Sequence, residues 1–384
     1  MKSLVLSAFT SLLLFSRMPT DAAPPSHALL ETAGENRGEM ERALSLVPEA
    51  HRAAMEFLIE NMPLVDLQNL KADYLLENAA QAYEAFSAAP WAKQVPPDIF
   101  LNDVLPYASV NERRDDWRRK LHAIAAPIVK DCATPGEAAQ ALNRQLFGIV
   151  NVRYSTQRKK ADQSALESME SGLATCTGLS VLLVDACRAV GVPARVAGTP
   201  MWMNLRGNHT WVEVWDGDWH FAGAAEPDGK GLDHGWFTGD ASKARRDLPE
   251  HAIYASSFKK TGVSFPLEWD ANLHWVAAVN VTDRYAPAVA AASDARVRLL
   301  VRILDGGKRV AAKVNVTSPA DAALKLEGTS RDESADLNNL LSFPLPRGQT
   351  FHLQIEHGKN AVERDVKTTD GKEAEQIVTV VLTP

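Results

Sequence analysis

Ser171-Gly-Leu-Ala-Thr-Cys176-Thr-Gly-Leu-Ser180, running into Val181-Leu-Leu-Val184, decides how this chain is read. The small and polar residues predict a turn, and the apolar run beyond them predicts a helix over Cys176 to Val190. No proline interrupts it, Leu179, Leu182, Leu183, Ala186 and Val190 recur near helical spacing, and Gly191 and Pro193 stand where a helix stops. Cys176 then lies at a helix N-terminus, where unpaired N–H groups and the helix dipole favour a thiolate over a thiol. A thiolate so placed is a nucleophile that needs a base.

His209 is the candidate base. It heads His209-Thr-Trp-Val-Glu-Val-Trp215, a strand by composition and alternation. Asp216-Gly217 before Trp219-His-Phe221 predicts a hairpin, and Ala194 to Thr199 adds a short strand after Pro193. A helix-borne cysteine facing a strand-borne histidine is an arrangement for nucleophilic acyl chemistry.

In order and rough spacing, Gly172 to Cys176, Gly191-Val-Pro-Ala-Arg195 and His209-Thr-Trp-Val-Glu213 resemble the transglutaminase-like superfamily, a papain-type group of cysteine enzymes. The resemblance covers about residues 140 to 245. It implies a Cys-His-acid triad, a peptide or protein substrate and no cofactor. It also implies an aspartate about four residues after the tryptophan of the strand following His209. Here Trp219 leads into His220-Phe-Ala-Gly-Ala-Ala225, and the first acids are Glu226 and Asp228. A carboxylate must hold the tautomer of His209 and stabilise its imidazolium. Glu226 is the first choice because its longer side chain suits a shifted backbone; Asp228 is the alternative acid.

Five of the nine tryptophans, Trp202, Trp211, Trp215, Trp219 and Trp236, crowd this region. Trp202 and Trp211, with Gln163 as a candidate oxyanion donor, are expected to line the substrate cleft. His220, His234 and Asp233 match no metal-ligand spacing, so no metal is expected. Cys187 lies about 16 Å further along the helix than Cys176, too far to share its site. Three cysteines exclude a disulfide framework, and a Cys132–Cys187 bond stays open.

Residues 1–23 read as a secretory signal: Lys2, the apolar stretch Leu4 to Phe15, then small residues at Ala22-Ala23. A secreted or periplasmic protein is expected, with no stable membrane insertion after signal removal. The net charge of -7 gives no footprint for nucleic acid. Residues 24–135 predict a helical region, with candidates at Arg42 to Glu60, Leu70 to Phe86 and Arg113 to Lys130, and Glu112 to Lys120 as a salt-bridged helix face. Thr134 and Glu137 predict a capping box at the start of a catalytic domain over 136–282, and Ser155 to Ser168 a surface loop.

Over 283–384 the period changes to two. Val297, Leu299, Val301 and Ile303, then Val310 to Val316 after the turn at Asp305-Gly-Gly307, and later Phe351 to Ile355 and Ile377 to Val381, predict a β-sandwich. Phe343-Pro-Leu-Pro-Arg-Gly348 with the strand after it resembles the prealbumin-like or carboxypeptidase-regulatory type of accessory domain, whose partner stays unknown. The expected fold is therefore α+β: a papain-like transglutaminase core, a helical N-terminal region and a C-terminal all-β sandwich. The expected activity is acyl-thioester chemistry on amide or peptide bonds, most readily hydrolysis. The alternatives are protein cross-linking and a non-catalytic peptide-binding module.

Overall fold

The cysteine helix forms as its spacing predicts, over Cys176–Ala189, in a computed structural model that describes residues 25–286, 296–335, 340–358, 360–371 and 375–382. The expected signal segment, 1–23, lies outside the described residues. Thr175 caps the helix, its hydroxyl accepting from Gly178 N at 2.9 Å and donating to Ala161 O at 2.6 Å. From Thr177 onward the helix is buried on every side, which an apolar helix requires and an amphipathic one would not tolerate.

One side of this helix packs on the helices Pro135–Ile149 and Arg118–Val129, and another on a five-stranded sheet. The sheet is antiparallel throughout, in the order Trp219–Ala222, His209–Trp215, Ala194–Thr199, Tyr254–Ser256, Ala278–Asn280. A continuous apolar core runs from Ala33 to Ala278, joining the N-terminal helices to the sheet. A second, aromatic cluster containing Trp202, Trp211, Phe237 and Tyr285 also involves sheet residues Ala197 and Ala255.

Two expectations for the helical region need correction. Arg42 to Glu60 is not one helix: Arg37–Leu46 ends at Val47, and Arg52–Asn61 begins beyond Pro48. Proline lacks the N–H and restricts the residue before it to extended backbone. Nor is Glu112 to Lys120 one salt-bridged helix face: Arg113, Arg114 and Arg119 do form ion pairs, but the helix starts only at Arg118, and both Glu112 and Arg118 are buried. Glu112 accepts from Ser109 N and Val110 N at 2.6 and 2.7 Å. Arg118 donates to Val104 O, Leu105 O, Pro106 O and Arg188 O, and burial lowers its pKa to about 9. The guanidinium thus gathers four carbonyls in the core, and the far end of the cysteine helix is fastened through Arg188.

The C-terminal strands form the expected sandwich. One sheet runs Lys325–Thr329, Lys313–Thr317, Thr350–His357, Asn360–Lys367, and the other Leu341–Pro346, Arg296–Asp305, Glu375–Val381. Leu299, Val301, Val314, Val316, Phe351 and Leu353 fill the core between them. Asp305 pairs with Lys308 across Gly306 and Gly307, whose φ values of 54° and 78° are those of a tight hairpin turn. Among the described residues no helix is long and apolar enough to cross a membrane.

Candidate active site

Cys176 is the first residue of its helix and His209 the first of its strand. The residues immediately after them touch: the hydroxyls of Thr177 and Thr210 are 3.1 Å apart and buried. Side chains alternate along a strand, so His209 and Trp211 lie on one face, where their rings stack. His209 is buried among aromatic rings, 4.7 Å from Trp236, 5.0 Å from Phe237, 5.7 Å from Trp211 and 6.1 Å from Trp202 between centroids. Cys176 is half-buried.

Two of the sequence motifs meet across the sheet. Arg195 of the Gly191-to-Arg195 stretch is in register with Glu213 and donates to it at 2.8 Å. Glu213 also accepts from Tyr285 Oη at 2.8 Å, and that same phenol accepts from Trp211 Nε1 at 2.9 Å. The buried ion pair thereby sets the orientation of Trp211 behind His209.

Glu226 lies in a turn held by Asn143, which donates to Gly223 O and accepts from Ala225 N, both at 2.8 Å. Its carboxylate accepts from Trp236 Nε1 at 2.8 Å, and the indole in turn contacts the His209 ring. Gly223 stands four residues after Trp219. A Cβ placed there would clash with Glu226 Oε2. The carboxylate of Glu226 therefore occupies the space that a side chain at position 223 would enter. Asp228 is exposed and accepts from Lys230 N at 2.9 Å, closing its own surface turn.

Three expected cleft residues are placed differently. Trp202 and Trp211 are fully buried, forming a wall behind His209 and no part of an open surface. Gln163 is buried beside the approach to Cys176, and its amide nitrogen donates to Leu173 O at 2.9 Å and Ser171 Oγ at 3.0 Å. Those bonds brace the chain before the nucleophile and take the hydrogens an oxyanion would need. The expected loop also ends early: Ser164 and Glu167 form a capping box that starts the helix Ala165–Ser171. Trp236, absent from the expected site, is the residue that joins His209 to Glu226. The density of tryptophans was its only signal in the sequence.

A cavity of about 360 Å³ opens beside this turn, lined by Phe147, Arg153, Tyr154, Leu179, Ala225 and Glu226. Cys187 is buried, which pushes its thiol up to about 12, and burial also raises the Cys132 thiol. Neither forms a disulfide. His220 Nδ1 lies 2.6 Å from Asp233 Oδ2, a local pair at the sheet edge.

Residues 122–241 match the family model of the transglutaminase-like superfamily. This transglutaminase-like region contains the cysteine helix, the His209 strand and the Glu226 turn. Solved structures to which the chain is similar include the following two. One, described as a candidate cysteine protease from Cytophaga hutchinsonii, is 22% identical over 30% of this chain and 40% of that one, with a TM-score of 0.25. The other, red sea bream transglutaminase, is 8% identical over 73% of this chain and 66% of that one, with a TM-score of 0.31. The chain spans less than two thirds of the length of either. No curated protein gives a significant match.

Proposed function

We propose that the protein is an exported cysteine enzyme that cleaves amide or peptide bonds through an acyl-thioester. The reading is carried by the Thr177–Thr210 contact, which sets the start of the cysteine helix beside the start of the histidine strand. Cys176 Sγ attacks the carbonyl carbon, its proton passing to His209. The C–N bond then breaks as His209 returns that proton to the leaving amine. Water, activated by the same imidazole, attacks the thioester and releases the acid and the thiol. The N–H of Cys176, at the open end of the capped helix, contributes to the site of the developing oxyanion. Glu226 orients the imidazole and stabilises its charge, its carboxylate taking the space that the family pattern gives to an acid at position 223.

Incubating wild type and Cys176→Ala with a peptide library, followed by mass spectrometry, tests this. Hydrolysis appears as cleaved peptides or as a gain of about one mass unit per deamidated side chain, and cross-linking as the loss of ammonia between two peptides. Turnover in the Cys176→Ala protein would overturn the assignment. Export is tested separately, by sequencing the N-terminus of the mature protein: cleavage after Ala23 is the expected result.

A further inference from the structure

We propose that the C-terminal β-sandwich is a positioning element of the active site, clamping both loops that flank Cys176 and His209. This rests on the assignment of those two residues as nucleophile and base.

The first contact is a buried charge network. Glu375 begins the strand Glu375–Val381 and is in register with Arg298 on the neighbouring strand, to which it is also ion-paired. Its second oxygen lies 3.1 Å from Arg206, which is buried and pairs with buried Asp240. Asn204 adds a bond of 2.9 Å to Asp240. Arg206 belongs to the loop before the His209 strand and Asp240 to the short helix Thr238–Ala241 that follows Trp236, so through Arg206 one carboxylate of the sandwich ties the two together. Arg298 reaches further, its guanidinium donating to Trp236 O at 3.5 Å. Trp236 is the residue whose ring contacts His209 and whose N–H binds Glu226.

The second contact lies on the other side of the site. Thr156 Oγ1 donates to Glu333 O of the sandwich at 2.7 Å. Thr156 is in the segment that leads to Ala161, whose carbonyl receives the Thr175 hydroxyl at the cap of the cysteine helix.

Charges buried this deeply hold their geometry, because breaking one pair leaves its partner uncompensated in a low-dielectric site. A spacer domain needs neither contact. A domain that fixes the Trp236 backbone fixes the indole between His209 and Glu226, and with it the imidazole that sets the reactivity of Cys176.

The test uses the full-length chain and iodoacetamide, with the alkylation rates of Cys176 and Cys132 followed by peptide mass spectrometry between about pH 5 and 9. For Glu375→Gln the expected result is a Cys176 inflection moved up by about one pH unit and a rate about tenfold lower near pH 6.5, with Cys132 unchanged. Arg298→Ala, at a half-exposed position, should shift the same profile in the same direction. If Glu375→Gln does not fold, Arg298→Ala and Thr156→Val decide. Profiles that superimpose on wild type in the folded variants overturn the clamp. A wild-type Cys176 no more reactive than Cys132 near pH 6.5 is a different result, and it removes the nucleophile assignment itself.

Discussion

The hydroxyls of Thr177 and Thr210 lie 3.1 Å apart in the interior, each immediately following a proposed member of the catalytic pair. A hydrogen bond between two neutral hydroxyls contributes only about 1 kcal/mol, but removing one partner strands the other in an apolar site at a cost of about 1–3 kcal/mol. Thr177→Val and Thr210→Val should each destabilise the protein by that amount, and the double variant by clearly less than their sum. Urea unfolding of the four proteins measures the coupling. Additive effects would mean that the two hydroxyls do not meet in solution.

Cys176 should be the thiol that reacts at neutral pH. Burial holds the Cys187 thiol near 12 and raises that of Cys132, so both remain protonated where a helix N-terminus favours the thiolate. A peptide-based acyl electrophile at pH 7 is expected to label Cys176 first, and Cys187 only after unfolding. Equal labelling of Cys176 and Cys132 would refute this.

The acid is tested by moving it. Glu226→Gln should lower turnover by about 10² to 10⁴ with the fold retained, since an amide neither stabilises imidazolium nor enforces the tautomer. Asp228→Asn should be mild. Because the Glu226 carboxylate fills the space above Gly223, Gly223→Asp in a Glu226→Ala background should recover part of the lost rate. Turnover of the three variants decides: no recovery, with near-normal Glu226→Gln, would place the orienting acid elsewhere.

Asp103 is buried, and burial raises its pKa to about 6 from the ordinary 3.8, against the opposing pull of Arg195 and Arg188. Between those two values the folded chain binds more protons than the unfolded one, so stability must fall as pH rises. The loss is about 3 kcal/mol across that window and is complete above pH 6. Asp103→Asn cannot lose this proton, so its stability relative to wild type should climb from pH 4 to 6.5 and then level off. Urea denaturation across that range checks it; a flat difference would show that Asp103 ionises normally.

Much of the site was legible because it depends on local chemistry. The Thr134–Glu137 capping box forms with both of its bonds, the hairpin glycines adopt the left-handed backbone their turn needs, and the cysteine helix starts at Cys176. Each comes from a few neighbouring residues. Pro48 was just as local, and reading past it joined two helices that it separates.

The sequence by itself determined the types of the elements that carry the site, the position of the thiol at a helix N-terminus and of the imidazole at a strand head, and the offset of the acid from the family pattern. All of these rest on backbone propensity, capping or order along the chain. Only the tertiary structure decided what each polar or aromatic group spends its surface on. It put Trp202 and Trp211 inside, turned the Gln163 amide toward Leu173 and Ser171, sank Arg118 among carbonyls, set the Glu226 carboxylate over Gly223 and brought Glu375 to Arg206. The physical reason is common to all five. Burial and hydrogen-bond satisfaction are settled between segments far apart in the chain, and a residue's type states what it can bond without stating which distant partner the packed fold will bring.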